Sequence, residues 1–214
     1  MERRNSPIVL EGFVFILPLL VLTVVFASVG IKSLALLFLV LTLFVTNFFR
    51  NPERVIPTDT NAVVSPADGR VLKIEEVEEH GLITGKCKKV SIFMNVFNVH
   101  VNRTPYTGTV KTIRYEEGKF FNASLDKASS LNERNSVLVQ TSDGREILTI
   151  QIAGLVARRI VCWAKEGMNI ERGERFGLIR FGSRLEVFMP VDTEILVKVG
   201  DKVRAGETKI GSLQ

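Results

Sequence analysis

The 214-residue sequence predicts a mainly β domain (β-dominated α+β) over residues 51–214, preceded by a transmembrane helical hairpin over residues 1–50. Three observations carry this prediction. In the first fifty positions only Glu2, Arg3, Arg4, Glu11, Lys32 and Arg50 are charged, and long apolar runs fill the rest. After Pro57 those runs give way to short stretches of branched residues with two-residue periodicity, separated by turn signals. No amphipathic helical pattern is long enough to cover a parallel sheet, which argues against a doubly wound arrangement.

From Ile8 to Val29 the chain is apolar apart from Glu11 and a few small polar residues, enough to cross a hydrocarbon layer about 30 Å thick. The second run, Leu34 to Phe49, is slightly short, a deficit that tilt or local thinning absorbs. Only Gly30-Ile31-Lys32-Ser33 joins them, so the chain turns straight back while each segment satisfies its own backbone hydrogen bonds. Arg3 and Arg4 precede the first run, and Arg50 and Arg54 follow the second. The positive-inside rule therefore assigns the protein to the cell membrane with the domain on the cytoplasmic side. A cleaved signal peptide ending near Phe26-Ala27-Ser28 is the competing reading, countered by the immediate second apolar run. A hairpin that dips into one leaflet stays open beside one that spans.

The whole chain has 28 Lys and Arg against 23 Asp and Glu, and the surplus is too small and too evenly spread for a nucleic-acid footprint. Cys87 and Cys162 lie far apart with no CxxC and no nearby His pair, so neither a zinc site nor a disulfide framework is expected; they read as buried free thiols. Strand patterns cover Val63-Val64, Val71–Val77, Lys89–Met94, Gly108–Tyr115, Asn135–Thr141, Glu146–Ala153, Arg184–Met189 and Thr193–Val199. Thr141-Ser142-Asp143-Gly144 is a hairpin turn between two of them. Residues 123–131 fit a short helix or an ordered loop.

A weak duplication marks the C-terminal part. Glu166 to Glu174 aligns with Val199 to Glu207, matching Gly167 with Gly200, Ile170 with Val203 and Gly173 with Gly206. Paired glycines permit the positive-φ turns of compact β units. The second copy resembles the strand-turn segment of biotinyl and lipoyl carrier modules, without the Met-Lys-Met type hairpin that holds their cofactor.

Three segments place a reactive side chain beside a turn: Val-Ser-Pro-Ala-Asp-Gly-Arg-Val over 64–71, Phe-Asn-Val-His-Val-Asn-Arg-Thr-Pro over 97–105, and Arg-Phe-Gly-Ser-Arg-Leu-Glu over 180–186. Taken singly, Asp68 is a turn aspartate, His100 a core histidine and Gly182-Ser183 a turn, while His80 reads as exposed and incidental. Together Asp68, His100 and Ser183 contain what nucleophile activation needs: a hydroxyl, an imidazole to take its proton, and a carboxylate to hold the tautomer. A membrane-tethered Ser/His/Asp hydrolase and a non-enzymatic biotinyl-like adaptor are the two alternatives; the chain has no Gly-x-Ser-x-Gly elbow.

In this order, behind an N-terminal anchor, the three segments resemble the short form of the phosphatidylserine decarboxylase proenzyme family, over most of the region from Pro52 to Ile210. The resemblance implies a proenzyme that cuts itself between Gly182 and Ser183. Ser183 would attack the Gly182 carbonyl in an N-to-O acyl shift, with His100, oriented by Asp68, taking the hydroxyl proton and assisting β-elimination. The products would be a β chain of residues 1–182 and an α chain of residues 183–214, held as a heterodimer. Residue 183 would become dehydroalanine, then an imine, then a pyruvoyl group with loss of ammonia. The pyruvoyl would form a Schiff base with phosphatidylserine and accept the electron pair as carbon dioxide leaves, with His100 supplying the proton that yields phosphatidylethanolamine. Longer relatives carry a second histidine where this chain has Phe97, and Leu-Gly-Ser-Thr where it has Phe-Gly-Ser-Arg. Arg184 is a candidate for a substrate carboxylate or phosphate, or for pairing with Glu186 across solvent. Arg103, Arg158 and Arg159 are candidates for lipid phosphate. Diester and ether lipids present the same headgroup, and a higher homo-oligomer is compatible with edge strands.

Overall fold

The computed structural model describes residues 6–79, 81–123, 131–155, 159–180 and 182–214. Arg3, Arg4, His80, Arg158, Phe181 and positions 124–130 of the expected helix or loop lie outside the described residues. The chain forms two compact units, Met1–Glu53 and Arg54–Gln214.

In the first unit a 3₁₀ turn, Leu10–Gly12, leads into α1 (Phe13–Ser28), and α2 (Lys32–Phe48) follows. Leu10–Ser28 is long and apolar enough to cross a membrane; α2 is shorter. Gly30 turns the chain with φ of 78°. Phe26 stacks on Phe38 beside this turn and Phe15 on Phe49 at the far end, so the helices run antiparallel. The far end is closed by Asn51, whose N–H donates to the Pro7 carbonyl at 2.7 Å and whose side chain donates to the Ser6 carbonyl at 2.9 Å. Val14, Val21, Val24, Leu36 and Leu43 all stay exposed, an apolar surface of the kind that marks a membrane or protein contact.

The second unit is built from antiparallel strands: β1 (Ala62–Val64), β2 (Gly69–Glu79), β3 (Gly85–Met94), β4 (Val101–Arg103), β5 (Gly108–Glu116), β6 (Arg134–Gln140), β7 (Glu146–Ala153), β8 (Ile160–Cys162), β9 (Asn169–Ile170), β10 (Arg175–Ile179), β11 (Ser183–Pro190), β12 (Glu194–Ile195), β13 (Lys202–Val203) and β14 (Lys209–Ser212). Eight of them form a half-barrel sheet in the order β13-β2-β3-β11-β7-β6-β5-β9. Two three-stranded sheets, β4-β10-β8 and β1-β14-β12, complete the unit.

Inside the large sheet β11 is flanked by β3 and β7. Its residues alternate between two buried faces. Leu185, Val187 and Met189 join Val90, Ile92, Met94, Val137, Val139 and Ile147 in the main core, whereas Phe188 packs with Cys87, Leu138 and Leu148 on the other side. Both cysteines are free; Cys87 is buried, and Cys162 is only partly so.

The expected strands fall on β1, β2, β3, β5, β6, β7 and β11, while Thr193–Val199 shrinks to the two residues of β12. There Lys198 N–H turns away to donate to the Asp201 carboxylate at 2.8 Å, which ends the extended run. The strands the pattern did not reveal, β4, β8, β9, β10, β13 and β14, have two to five residues each, too few for periodicity to register. The two duplicated segments share backbone geometry: Gly167, Gly173, Gly200 and Gly206 all have positive φ, and Ile170 and Val203 are buried in matching two-residue strands. A Cβ on Gly173 or on Gly206 would meet Ile56, at 2.2 and 3.0 Å, so one side chain wedges both turns.

The 141–145 turn closes through Thr141 N–H to the Arg145 carbonyl at 2.9 Å, with Gly144 at φ of 86°. Arg145 first, then Thr141, holds the Asp143 carboxyl down at about 2. A lowered carboxyl pKa stabilises the fold above its ordinary value, 3.8, and that contribution disappears as pH falls toward 2. The Gly144 amide of this turn is therefore expected to lose hydrogen-exchange protection over that window, and Asp143→Asn to abolish the pH dependence. At the sheet centre, Leu185→Ala in an uncut Ser183→Ala background should cost about 2–5 kcal/mol in urea unfolding.

Candidate active site

Ser183 opens β11 directly between Met94 of β3 and Ala153 of β7. It is fully buried, and its hydroxyl has no hydrogen-bond partner among the described residues. Burying a hydroxyl unpaired costs about 1–3 kcal/mol, a penalty that asks for a reason. The residue before it, Gly182, has φ of 72°, a left-handed conformation that side chains resist. Facing it is Gly154, where a Cβ would lie 2.1 Å from the Gly182 carbonyl oxygen. Two glycines thus allow the 182–183 peptide to settle against the end of β7.

That end is pinned from outside. Asn132 donates to the Ala153 carbonyl at 2.7 Å and to the Phe121 carbonyl at 2.8 Å, and accepts from Phe121 N–H at 2.9 Å. Ala153 N–H donates to the Glu133 carbonyl at 2.9 Å, which extends the Met94–Ser183–Ala153 row to Glu133. Residues opposite one another share a face, so Glu133 stands on the Ser183 side, two strands or roughly 10 Å away. Its carboxylate is buried, with Oε1 unpaired among the described residues. Burial, then the hydrogen bond to Glu133, pushes the Tyr115 hydroxyl up to about 12.

His100 comes just before β4 and is buried. Its Nδ1 lies 3.0 Å from the Asn98 carbonyl oxygen. A carbonyl only accepts, so Nδ1 carries the proton and Nε2 keeps a basic lone pair. The loop is locked by Asn95 and Asn98: Asn95 N–H donates to the Asn98 side chain at 2.9 Å, and Asn98 N–H to the Asn95 carbonyl at 3.0 Å. A buried amide chain then ties β4 to the large sheet. Gln151 donates to Asn102 at 2.8 Å and accepts from Asn135 at 2.9 Å, while Asn102 reaches the Met94 sulfur at 3.7 Å. Met94 is the cross-strand neighbour of Ser183, so His100's strand lies over the face that carries Ser183.

Asp68 has other company than expected. Its oxygens accept from Arg54 at 3.0 and 2.8 Å and from Ala205 N–H at 2.8 Å. The Asn98 carbonyl fixes the His100 tautomer. The Asp68 loop still touches β4, because Arg103 N–H donates to the Pro66 carbonyl at 2.9 Å.

Of the candidate substrate arginines, Arg103 and Arg184 make contacts within the fold. Strand alternation turns Arg184 to the face opposite Ser183, where its Nε pairs with Glu186 at 3.3 Å; both side chains are buried, not solvent-exposed as expected. Arg103 is buried and donates to the Gly173 carbonyl at 2.7 Å. Arg159 is exposed. Sequence reasoning missed Arg54, Asn102, Asn132, Glu133, Gln151 and Gly154. Only Gln151 carried a local signal, a polar residue at an inward position of an apolar strand. No cluster of metal-ligating groups occurs among the described residues.

Removing Arg54 would leave the buried Asp68 carboxylate without this guanidinium. Arg54→Ala should cost about 3–5 kcal/mol in urea unfolding, and Asp68→Asn added to it should recover part of the loss.

Comparison with known proteins places the whole chain. Residues 41–211 match the family model described as phosphatidylserine decarboxylase. The chain is 56% identical over 211 residues to the phosphatidylserine decarboxylase proenzyme of Syntrophus aciditrophicus (strain SB), covering 98% of this chain and 99% of that one. It is 48% identical to the same-named protein of Geotalea uraniireducens (strain Rf4) and 47% to that of Desulfotalea psychrophila (strain LSv54 / DSM 12343), each over 213 residues and the full length of both chains. The chain belongs to the phosphatidylserine decarboxylase family.

Proposed function

We propose that this protein is a proenzyme that cuts its own backbone between Gly182 and Ser183 and then decarboxylates phosphatidylserine to phosphatidylethanolamine. The observation that carries the reading is the buried Ser183 hydroxyl, unpartnered among the described residues, next to a left-handed Gly182 whose carbonyl abuts Gly154. A hydroxyl without a competing hydrogen bond is free to attack the preceding carbonyl carbon. The peptide bond exchanges for an ester, and the proton leaves Oγ for a base. Nε2 of His100 is that base, since Nδ1–H is committed to Asn98. A base then removes the Cα proton of residue 183, the Cα=Cβ bond forms as the Cβ–Oγ bond breaks, and the Gly182 carboxylate leaves; the resulting dehydroalanine tautomerises to an imine, which water hydrolyses to the ketone and ammonia.

The residues present fit a pyruvoyl group at position 183: the site is buried and held on both sides by the ladders of β11 with β3 and β7. When formed, the group supplies a ketone to capture the substrate amine and a sink for the electron pair released with carbon dioxide. His100 holds the proton needed to complete the product. Arg54 and Ala205 keep the Asp68 loop in place beside β4, a positioning role. Arg103 and Arg184 serve the fold through Gly173 and Glu186.

Cleavage leaves chains 1–182 and 183–214 interleaved. β11 stays at the centre of the large sheet, β13 pairs with β2 and β14 with β1, which supports a stable heterodimer. The repeated glycine turns favour the likeness to biotinyl and lipoyl units. The exposed apolar helices favour a membrane anchor over residues 1–50, with the domain from residue 51 on the cytoplasmic side by the positive-inside rule.

Purified wild-type protein should contain two polypeptides, the smaller with a carbonyl-blocked N-terminus, whereas Ser183→Ala should remain one chain of 23.9 kDa. An unmodified serine at position 183 in active enzyme would refute the reading and favour a hydrolase. His100→Ala should slow cutting about 100-fold or more, followed on denaturing gels. Gly154→Ala forces the Gly182 carbonyl to move; it should fold yet cut at least about tenfold more slowly, with no hydroxylamine-sensitive ester accumulating.

A further inference from the structure

Resting on the reading above, we propose that the end of the large sheet bearing Ser183 is a docking surface for an anionic lipid bilayer, with Phe97, Leu131 and Leu155 entering the interface and Lys119 and Arg159 meeting headgroups. Strand direction gathers these residues. β3 and β7 end, and β6 and β11 begin, at the Met94–Ser183–Ala153–Glu133 row. Phe97 lies three residues beyond Met94, Leu155 two beyond Ala153, and Leu131 three before Arg134. All three are exposed, at 67%, 66% and 45%. Tyr115, on β5 at the same end, is half-exposed, an amphipathic side chain of the kind that favours headgroup depth.

Charge selects the occupant. Lys119 is exposed, and its N–H donates to the Leu131 carbonyl at 2.7 Å, which sets it beside the apolar rim. Arg159 is exposed, and its carbonyl accepts from Arg180 N–H at 3.3 Å, on the segment that enters Gly182. Glu117 is exposed at this end too, and it is Lys119 and Arg159 beside the apolar tips that fit a negatively charged membrane surface. Access requires it as well. Ser183 is wholly buried and the substrate's acyl chains stay in the bilayer, so its headgroup reaches residue 183 only if the loops around that row touch the membrane.

The test uses the full chain in phosphatidylcholine–phosphatidylglycerol bilayers, with a polarity-sensitive fluorophore on Leu155→Cys or, at the other end of β11, on Val191→Cys, both in a Cys162→Ala background. The label at 155 should shift to the blue and be quenched by spin-labelled lipid, while that at 191 should report water. Omitting phosphatidylglycerol, or making Lys119→Ser with Arg159→Ser, should weaken the quenching. Phe97→Asp with Leu155→Asp should self-cleave normally but show a KM for bilayer phosphatidylserine raised about tenfold. Equal signals at 155 and 191, an unchanged KM, or a blue shift at 155 that spin-labelled lipid does not quench and so marks a protein contact, would each overturn the proposal. A wild-type chain that never cuts would sink the proenzyme reading, and the quenching would still decide the docking surface.

Discussion

The position of β11 between β3 and β7 governs everything else in the molecule. A central antiparallel strand is held by hydrogen bonds along both edges and by packing on both faces, so its first residue has almost no freedom. That first residue is Ser183. Its hydroxyl is buried without a partner among the described residues, while the peptide before it bends through a left-handed glycine. The sheet's cooperative stability thus maintains one locally unfavourable arrangement, as expected where backbone geometry serves chemistry. The same ladders keep residues 183–214 in place once the backbone before them is cut.

Around this row the fold separates positioning from chemistry. Arg54 and the Ala205 amide hold the Asp68 loop, the Asn102–Gln151–Asn135 chain holds β4, and Asn132 holds the end of β7. Fully satisfied polar networks of this kind rigidify a core at the price of intolerance to single changes. His100 is left with one nitrogen committed to a backbone carbonyl, which selects its tautomer without a carboxylate. The arginines nearest in sequence to the reactive groups, Arg103 and Arg184, are absorbed by this scaffolding.

Much of the architecture was legible from local pattern. The apolar runs became α1 and α2, seven of the eight expected strands appeared within a few residues of their bounds, and the turn at 141–145 formed as its Asp-Gly pair dictates. Short strands such as β9 and β13 were illegible, since two residues have no period. The three motif segments were legible through family resemblance more than through physics, because each taken singly is an ordinary turn or core residue.

Residue order therefore suffices for the apolar–polar rhythm, the glycine turns and the Gly-Ser pair, all of which depend on neighbours a few positions away. It does not reveal that Asp68 meets Arg54 and, 137 positions on, Ala205. Nor does it reveal that Gly154 faces the Gly182 carbonyl, or that Arg184 points away from Ser183 into a buried pair with Glu186. Those outcomes follow from which strands pair and in what register, and pairing is settled by the packing of the entire core.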